Sequence, residues 1–174
     1  MTIKQSSVLA NVLRWHDLMS RTFYQLGIFA LSLIVVVYSY EVVSRYLFGA
    51  PTRWASDFVS FLLLITVFLV MPWLTRAGGH VAVTVLNDQL PERGRQVMLR
   101  GGYVVGAVAC LCLGYIVYSE TLTLYERGTG TLSTVSIPKW TLFMIVCYGL
   151  FNSGLYFLRR AVAERSVRKP AGEY

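Results

Sequence analysis

Acidic residues are scarce in this sequence: nine Asp and Glu stand against sixteen Lys and Arg, and charged residues make up only 14% of 174 positions. A soluble domain usually carries about 25%, so an extensive water-facing surface is not expected. None of the nine acids falls in the middle of a long apolar run, which disfavours a self-contained ion-coupled pump or carrier. Histidine occurs only twice, as His16 and His80, and neither lies within an apolar run. A membrane haem held by axial histidines is therefore disfavoured. Cys110, Cys112 and Cys147 all lie inside apolar runs, without the second cysteine pair or nearby histidine that a metal site needs. They read as small buried hydrophobes. Gly78-Gly79 and Gly101-Gly102 are isolated dipeptides, not phosphate-binding loops, and no nucleophile–base pattern is visible. Basic runs interleaved with aromatics are missing as well, so nucleic acid is not an expected partner. These absences point away from an enzyme and from any cofactor or metal on this chain.

What is abundant is apolar sequence, 55% of the chain, with a mean hydropathy of +0.54. It is concentrated in four runs of about 20 residues, each long enough to cross a ~30 Å hydrocarbon core at 1.5 Å per residue. The spacing predicts spans at about 23–44, 54–75, 97–119 and 139–159, in an all-α membrane domain covering 1–174. Residues 1–21 show an apolar stripe at Val8, Val12, Trp15 and Met19 and a polar one at Asn11, Arg14, Asp17 and Arg21. That pattern predicts an amphipathic helix on the inner membrane surface. The connections contain Gly49 and Pro51, then Pro91 and Gly94, then a Gly/Thr/Ser-rich stretch ended by Pro138, all breakers of regular structure.

Lys and Arg set the orientation. Twelve of them fall in the N-terminal segment, around the second connection and in the tail 160–174 with its flanking Arg159; Arg45, Arg53, Arg127 and Lys139 fall on the other side. The positive-inside rule then places both termini in the cytoplasm, which an even number of spans also requires. The basic clusters beside apolar runs fit lipid headgroups as a partner. Trp15, Trp54, Trp73 and Trp140 stand near the ends of the apolar runs as interface anchors.

The charged residues closest to the spans gather around the first connection. Glu41 and Arg45 are spaced i,i+4 in the order that favours a helical ion pair, and Arg53 and Asp57 repeat the spacing in the opposite order. This group either fixes the hairpin or meets a partner or substrate. His80 reads as a loop-fixing residue on the inner side. Gly102, Gly106, Cys110 and Gly114 recur every four residues on the third span, with a shorter version at Gly149 and Ser153 on the fourth. Small residues at that spacing allow another helix to approach closely, in this chain or in a different one.

Several of these residues fall into a recognisable order. Arg45, Tyr46 and Phe48, then Trp54 and Asp57, then Arg76, Gly78 and His80, and later Ile137-Pro138-Lys139-Trp140 resemble the small membrane subunit, the Q or DctQ-type component, of tripartite ATP-independent periplasmic (TRAP) transporters. Asp57 stands where the family usually has Glu, keeping the charge with a shorter reach, and Met71-Pro72-Trp73 occupies positions where small residues are more typical. The resemblance implies a non-catalytic inner-membrane subunit. It implies as partners a large membrane subunit, which contains the sodium and substrate sites, and a soluble periplasmic substrate-binding protein, often serving organic acid uptake. Two other readings stay open: a self-sufficient oligomeric four-helix transporter or channel, and a membrane anchor for a redox enzyme.

Overall fold

A computed structural model of the chain describes residues 2–50, 52, 54–77, 92–131 and 136–166. Helix α1 runs over Thr2–Phe48, α2 over Trp54–Ala77, α3 over Glu92–Arg127 and α4 over Lys139–Ser166. All four contain stretches long and apolar enough to cross a membrane. Arg53 and His80 lie outside the described residues.

The helices begin and end where the backbone dictates. α1 continues for 47 residues with no interruption at 21–23, where the change in polarity suggested a boundary between a surface helix and a span. Polarity does not break a helix; proline and glycine do, and the sequence has neither before Gly27. α1 stops at Gly49, whose φ of 59° is open to glycine but strained for other residues. The Ala50 N–H then reaches back to the Ser44 carbonyl at 3.3 Å. Gly128, with φ 60°, ends α3 in the same way. Beyond it, Thr129–Thr131 and Ile137–Lys139 clasp each other. Thr131 N donates to Ile137 O at 2.9 Å, Ile137 N to Thr131 Oγ1 at 2.9 Å, and Lys139 N to Thr129 O at 3.1 Å.

Neighbouring helices pack in the order α1–α2–α4–α3, which leaves α1 and α3 as the outer edges. Sequence-adjacent helices run antiparallel: Tyr40 meets Trp54 and Tyr24 meets Trp73, while Tyr125 meets Trp140 and Tyr103 meets Phe157. One end of the fold, the turn end, holds the α1–α2 and α3–α4 turns. The other, the terminal end, holds the start of α1, the ends of α2 and α4, and the start of α3.

Close approach depends on missing side chains. Gly27 on α1 lies against Thr66, Leu69 and Val70 of α2; Gly149 on α4 lies against Phe68 of α2; Gly154 lies against Cys110 and Leu111 of α3. The interior is thin. Of the most apolar window of each span, 28% is buried within the chain for α1, 33% for α2, 17% for α3 and 44% for α4. Phe29, Val35, Val36, Val105, Tyr115 and Ile116 are all more than 60% exposed. Hydrocarbon or another protein must cover such surface, since water does so only at a cost of about 25 cal/mol per Å².

Candidate functional site

Polar side chains concentrate at two levels, one at each end of the fold. At the turn end Glu41 is 6% exposed. Arg45 Nη2 donates to its Oε1 at 2.7 Å, and the Thr52 backbone N–H donates to its Oε2 at 3.1 Å. One buried carboxylate thus ties the last turns of α1 to the chain just ahead of α2. Ser44 adds a second tie by donating Oγ–H to the Ala50 carbonyl at 2.8 Å. Asp57 sits half-buried in the first turn of α2, where the free amides of a helix N-terminus favour negative charge. Beside this cluster Tyr46, Leu47 and Phe48 are 81%, 74% and 76% exposed. Trp54 packs on Tyr40 and Phe58, and Trp140 sits edge-on to Tyr125 at 5.6 Å, so aromatic rings mark this level on both hairpins.

The terminal end is built around Asp17. Arg159 Nη1 and the Tyr156 hydroxyl donate to its Oδ1 at 2.9 and 3.0 Å, and Arg76 Nη2 approaches Oδ2 at 3.1 Å. A single carboxylate therefore clamps α1, α2 and α4 together. His16 packs its ring on Tyr156 at 4.6 Å. A turn further along α1, Asn152 Nδ2 donates to Ser20 Oγ at 3.0 Å and to the Tyr148 hydroxyl at 2.8 Å. Arg160 joins α3 to the same level: Nη2 donates to the Arg76 carbonyl at 2.6 Å and Nη1 to the Tyr103 hydroxyl at 3.2 Å. Trp73 lies between the Tyr24 ring, at 5.5 Å, and the Arg76 guanidinium, at 4.8 Å. Trp15 is 70% exposed on the same end of α1.

The small-residue stripe of α3 divides. Gly106 faces the Phe157 ring at 3.3 Å and Gly114 the Phe151 ring at 3.4 Å, both on α4, whereas none of the described residues lies within 4 Å of where a Gly102 Cβ would stand. Between α3 and α4, towards the turn end, runs an apolar groove of about 520 Å³ lined by Tyr118, Tyr125, Trp140, Cys147, Tyr148 and Phe151 among others. Among the described residues, no three of His, Cys, Asp and Glu come together as metal ligands would.

Four long apolar helices, glycine-mediated contacts and polar ties gathered mostly towards the two ends make up the described geometry. Residues 34–166 match the family described as tripartite ATP-independent periplasmic transporters, DctQ component. The chain belongs to that family. It is 21% identical over 131 residues to the ectoine TRAP transporter small permease protein TeaB of Halomonas elongata, covering 74% of this chain and 66% of that protein. It is 23% identical over 119 residues to the sialic acid TRAP transporter small permease protein SiaQ of Vibrio cholerae, covering 64% of this chain and 68% of that protein. The chain spans about two thirds of the length of each. The DctQ-type assignment makes it a multi-pass transporter component and not an enzyme.

The sequence pattern brought Glu41 and Arg45 forward because their contact is local. It left Asp17 on a polar stripe and Arg159 and Arg160 among the basic residues that set the orientation. A usable signal existed: one acid a turn or two before the first apolar run, with arginines closing two other runs on the same side.

Proposed function

We propose that this DctQ-type chain braces the large membrane subunit of a sodium-coupled TRAP transporter in the bacterial inner membrane, with both of its own termini in the cytoplasm. The observation that carries this reading is the small share of each span buried within the chain, falling to 17% on the edge helix α3. Apolar surface of that extent suits a subunit whose task is to be packed against. Sodium and substrate are then held by the large subunit, and this chain needs no cofactor. Gly102, with open space before it, is available to a helix of that partner.

In this orientation the turn end faces the periplasm. The exposed Tyr46, Leu47 and Phe48, carried on the turn that Glu41 and Arg45 fix, offer a surface on which a periplasmic substrate-binding protein docks, with Arg53 and Asp57 contributing charge. The transported solute is an organic acid or a similar small polar molecule. The two relatives are named for ectoine and sialic acid, which are solutes of that kind.

The deciding experiment is a pull-down of the tagged chain in mild detergent, with co-purifying proteins identified by mass spectrometry. One large multi-span protein in near-equal amount is the expected result. Recovery of this chain alone, as an oligomer that moves solute in liposomes, would replace the proposal with a self-sufficient four-helix transporter. Asp57→Ala is expected to lower complex yield or solute uptake, and no change in either removes Asp57 from the docking surface. A fluorescent protein fused to the C-terminus is expected to fluoresce and a fused alkaline phosphatase to stay inactive; the reverse pattern inverts the topology.

A further inference from the structure

The formal net charge of +7 is not spread over the molecule. If each charged residue is assigned to the end its stretch of sequence adjoins, the turn end has four basic and four acidic residues. The terminal end has twelve basic and five acidic, so it accounts for the whole excess. The geometry gives this excess a focus. Three guanidiniums lie over aromatic faces at one level: Arg76 over Trp73 at 4.8 Å, Arg159 over Tyr156 at 5.4 Å, and Arg160 over Tyr103 at 5.8 Å. Trp and Tyr rings concentrate at the membrane–water boundary, so the arginines stacked on them stand at headgroup depth.

Among the described residues, one carboxylate answers these three cations. Asp17 is engaged on both oxygens, by Arg159 and Tyr156 at Oδ1 and by Arg76 at Oδ2. Among the described residues, Arg160 donates to neutral oxygens, the Arg76 carbonyl and the Tyr103 hydroxyl. The Arg76 and Arg159 side chains remain 39% and 37% exposed, which leaves donors facing outward. Two positive charges at this level thus lack a described counter-charge. Guanidiniums held over aromatic rings have already lost part of their rotational freedom, and they bind phosphate oxygens with paired N–H donors.

We propose that Arg76, Arg159 and Arg160 bind the phosphate of an anionic phospholipid in the leaflet at the terminal end. The lipid phosphate adds negative charge beyond the one carboxylate that the described residues supply, and its headgroup bridges the ends of α2 and α4 next to the Asp17 clamp. This holds whichever large subunit the chain serves.

The test uses the full-length chain in mild detergent and native mass spectrometry with graded phosphatidylglycerol or, as the neutral reference, phosphatidylcholine. Phosphatidylglycerol is expected to be retained in preference. Arg160→Gln is expected to weaken its retention about fivefold, the usual effect of one basic residue at an anionic surface. Arg127→Gln at the turn end removes the same charge and is expected to leave retention unchanged. Equal retention of the two lipids by the unmodified chain overturns the proposal, and that measurement stands even where a variant does not fold. Equal losses in the two variants also overturn it, in favour of diffuse attraction. Displacement of the lipid by millimolar inorganic phosphate makes free phosphate the ligand and overturns the lipid source. Unchanged lipid retention in Arg160→Gln, with loss of a co-purifying membrane protein, assigns the cluster to an acidic partner surface instead.

Discussion

Gly149→Ala offers a sharp test of how α2 and α4 fit together. An added Cβ at residue 149 would lie 2.5 Å from the Phe68 carbonyl oxygen and 3.0 Å from Phe68 Cβ and Cδ1. The oxygen belongs to the backbone, so it has no rotamer to escape into. It is also the carbonyl four residues before Pro72, which lies inside α2. Proline has no N–H to bond that carbonyl, and its ring crowds the i−4 position. Gly149 accommodates the carbonyl that Pro72 leaves without a helical donor. To reach the 3.0–3.4 Å range of tight but real contacts, the helices must part by about 0.5–0.9 Å. Overpacking of this kind costs about 1–3 kcal/mol, offset by about 0.5–1 kcal/mol from replacing glycine in a helix. With about 2–4 °C of Tm per kcal/mol in a chain of this size, the net cost of about 0–2.5 kcal/mol lowers Tm by up to about 10 °C, and Gly102→Ala, which takes the same glycine offset without the clash, should lie above it by the full overpacking cost. The assay is thermal unfolding in one detergent, followed by far-UV circular dichroism, with Gly102→Ala as the reference because its Cβ meets none of the described residues within 4 Å. Gly149→Ala is also expected to cost less in a Pro72→Ala background, where the Phe68 carbonyl regains a donor. Equal stability of Gly149→Ala and Gly102→Ala would refute this fit of α4 on α2.

Asp17→Ala removes the acceptor shared by Arg76, Arg159 and Tyr156; because both arginines can turn to water, the expected loss is about 1–2 kcal/mol, read from denaturant titration in detergent. Glu41→Gln keeps an acceptor for the Thr52 N–H and loses only an ion pair to Arg45, which is 60% exposed, so it should cost less than about 1 kcal/mol. Glu41→Ala leaves that N–H without its partner and should cost about 1–3 kcal/mol; the two Glu41 variants unfolding alike would dismiss the turn-fixing role. Asn152→Leu removes the donor shared by Ser20 and Tyr148, and at about 0.6–1.7 kcal/mol for interhelical hydrogen bonds in membranes it should lower Tm measurably without changing helix content.

The spans could be read from the sequence because a run of about 20 apolar residues has few alternatives to a transmembrane helix. Their true lengths were not readable from hydropathy: α1 and α3 extend well past their apolar runs, and only Gly49 and Gly128 mark where they end. The Glu41–Arg45 pair was visible because both partners lie on one helix, four residues apart. The Asp17 clamp was hidden because its partners are remote, Arg159 being 142 positions away. Nothing in a single sequence reveals that α4, and not α3, packs beside α2. The same order decides the glycines. Gly106 and Gly114 meet α4 rings while Gly102, on the same stripe, faces away from any described neighbour within 4 Å.

The two polar levels lie on α1 at Asp17 and Glu41, 24 positions apart, which at 1.5 Å per residue separates them by about 36 Å along the helix. Each is tied to other parts of the chain, so neither can slide along α1 without breaking bonds. The fold therefore behaves as a fixed gauge against a hydrocarbon layer of ~30 Å with its interfacial margin. In a markedly thinner membrane apolar rings next to the clamps would be left in water, and in a thicker one the clamped charges would be drawn towards oil, each at fractions of a kcal/mol per Å. A subunit with rigid ends of this kind imposes its own thickness on the lipid around it, and with it on any partner that shares that lipid.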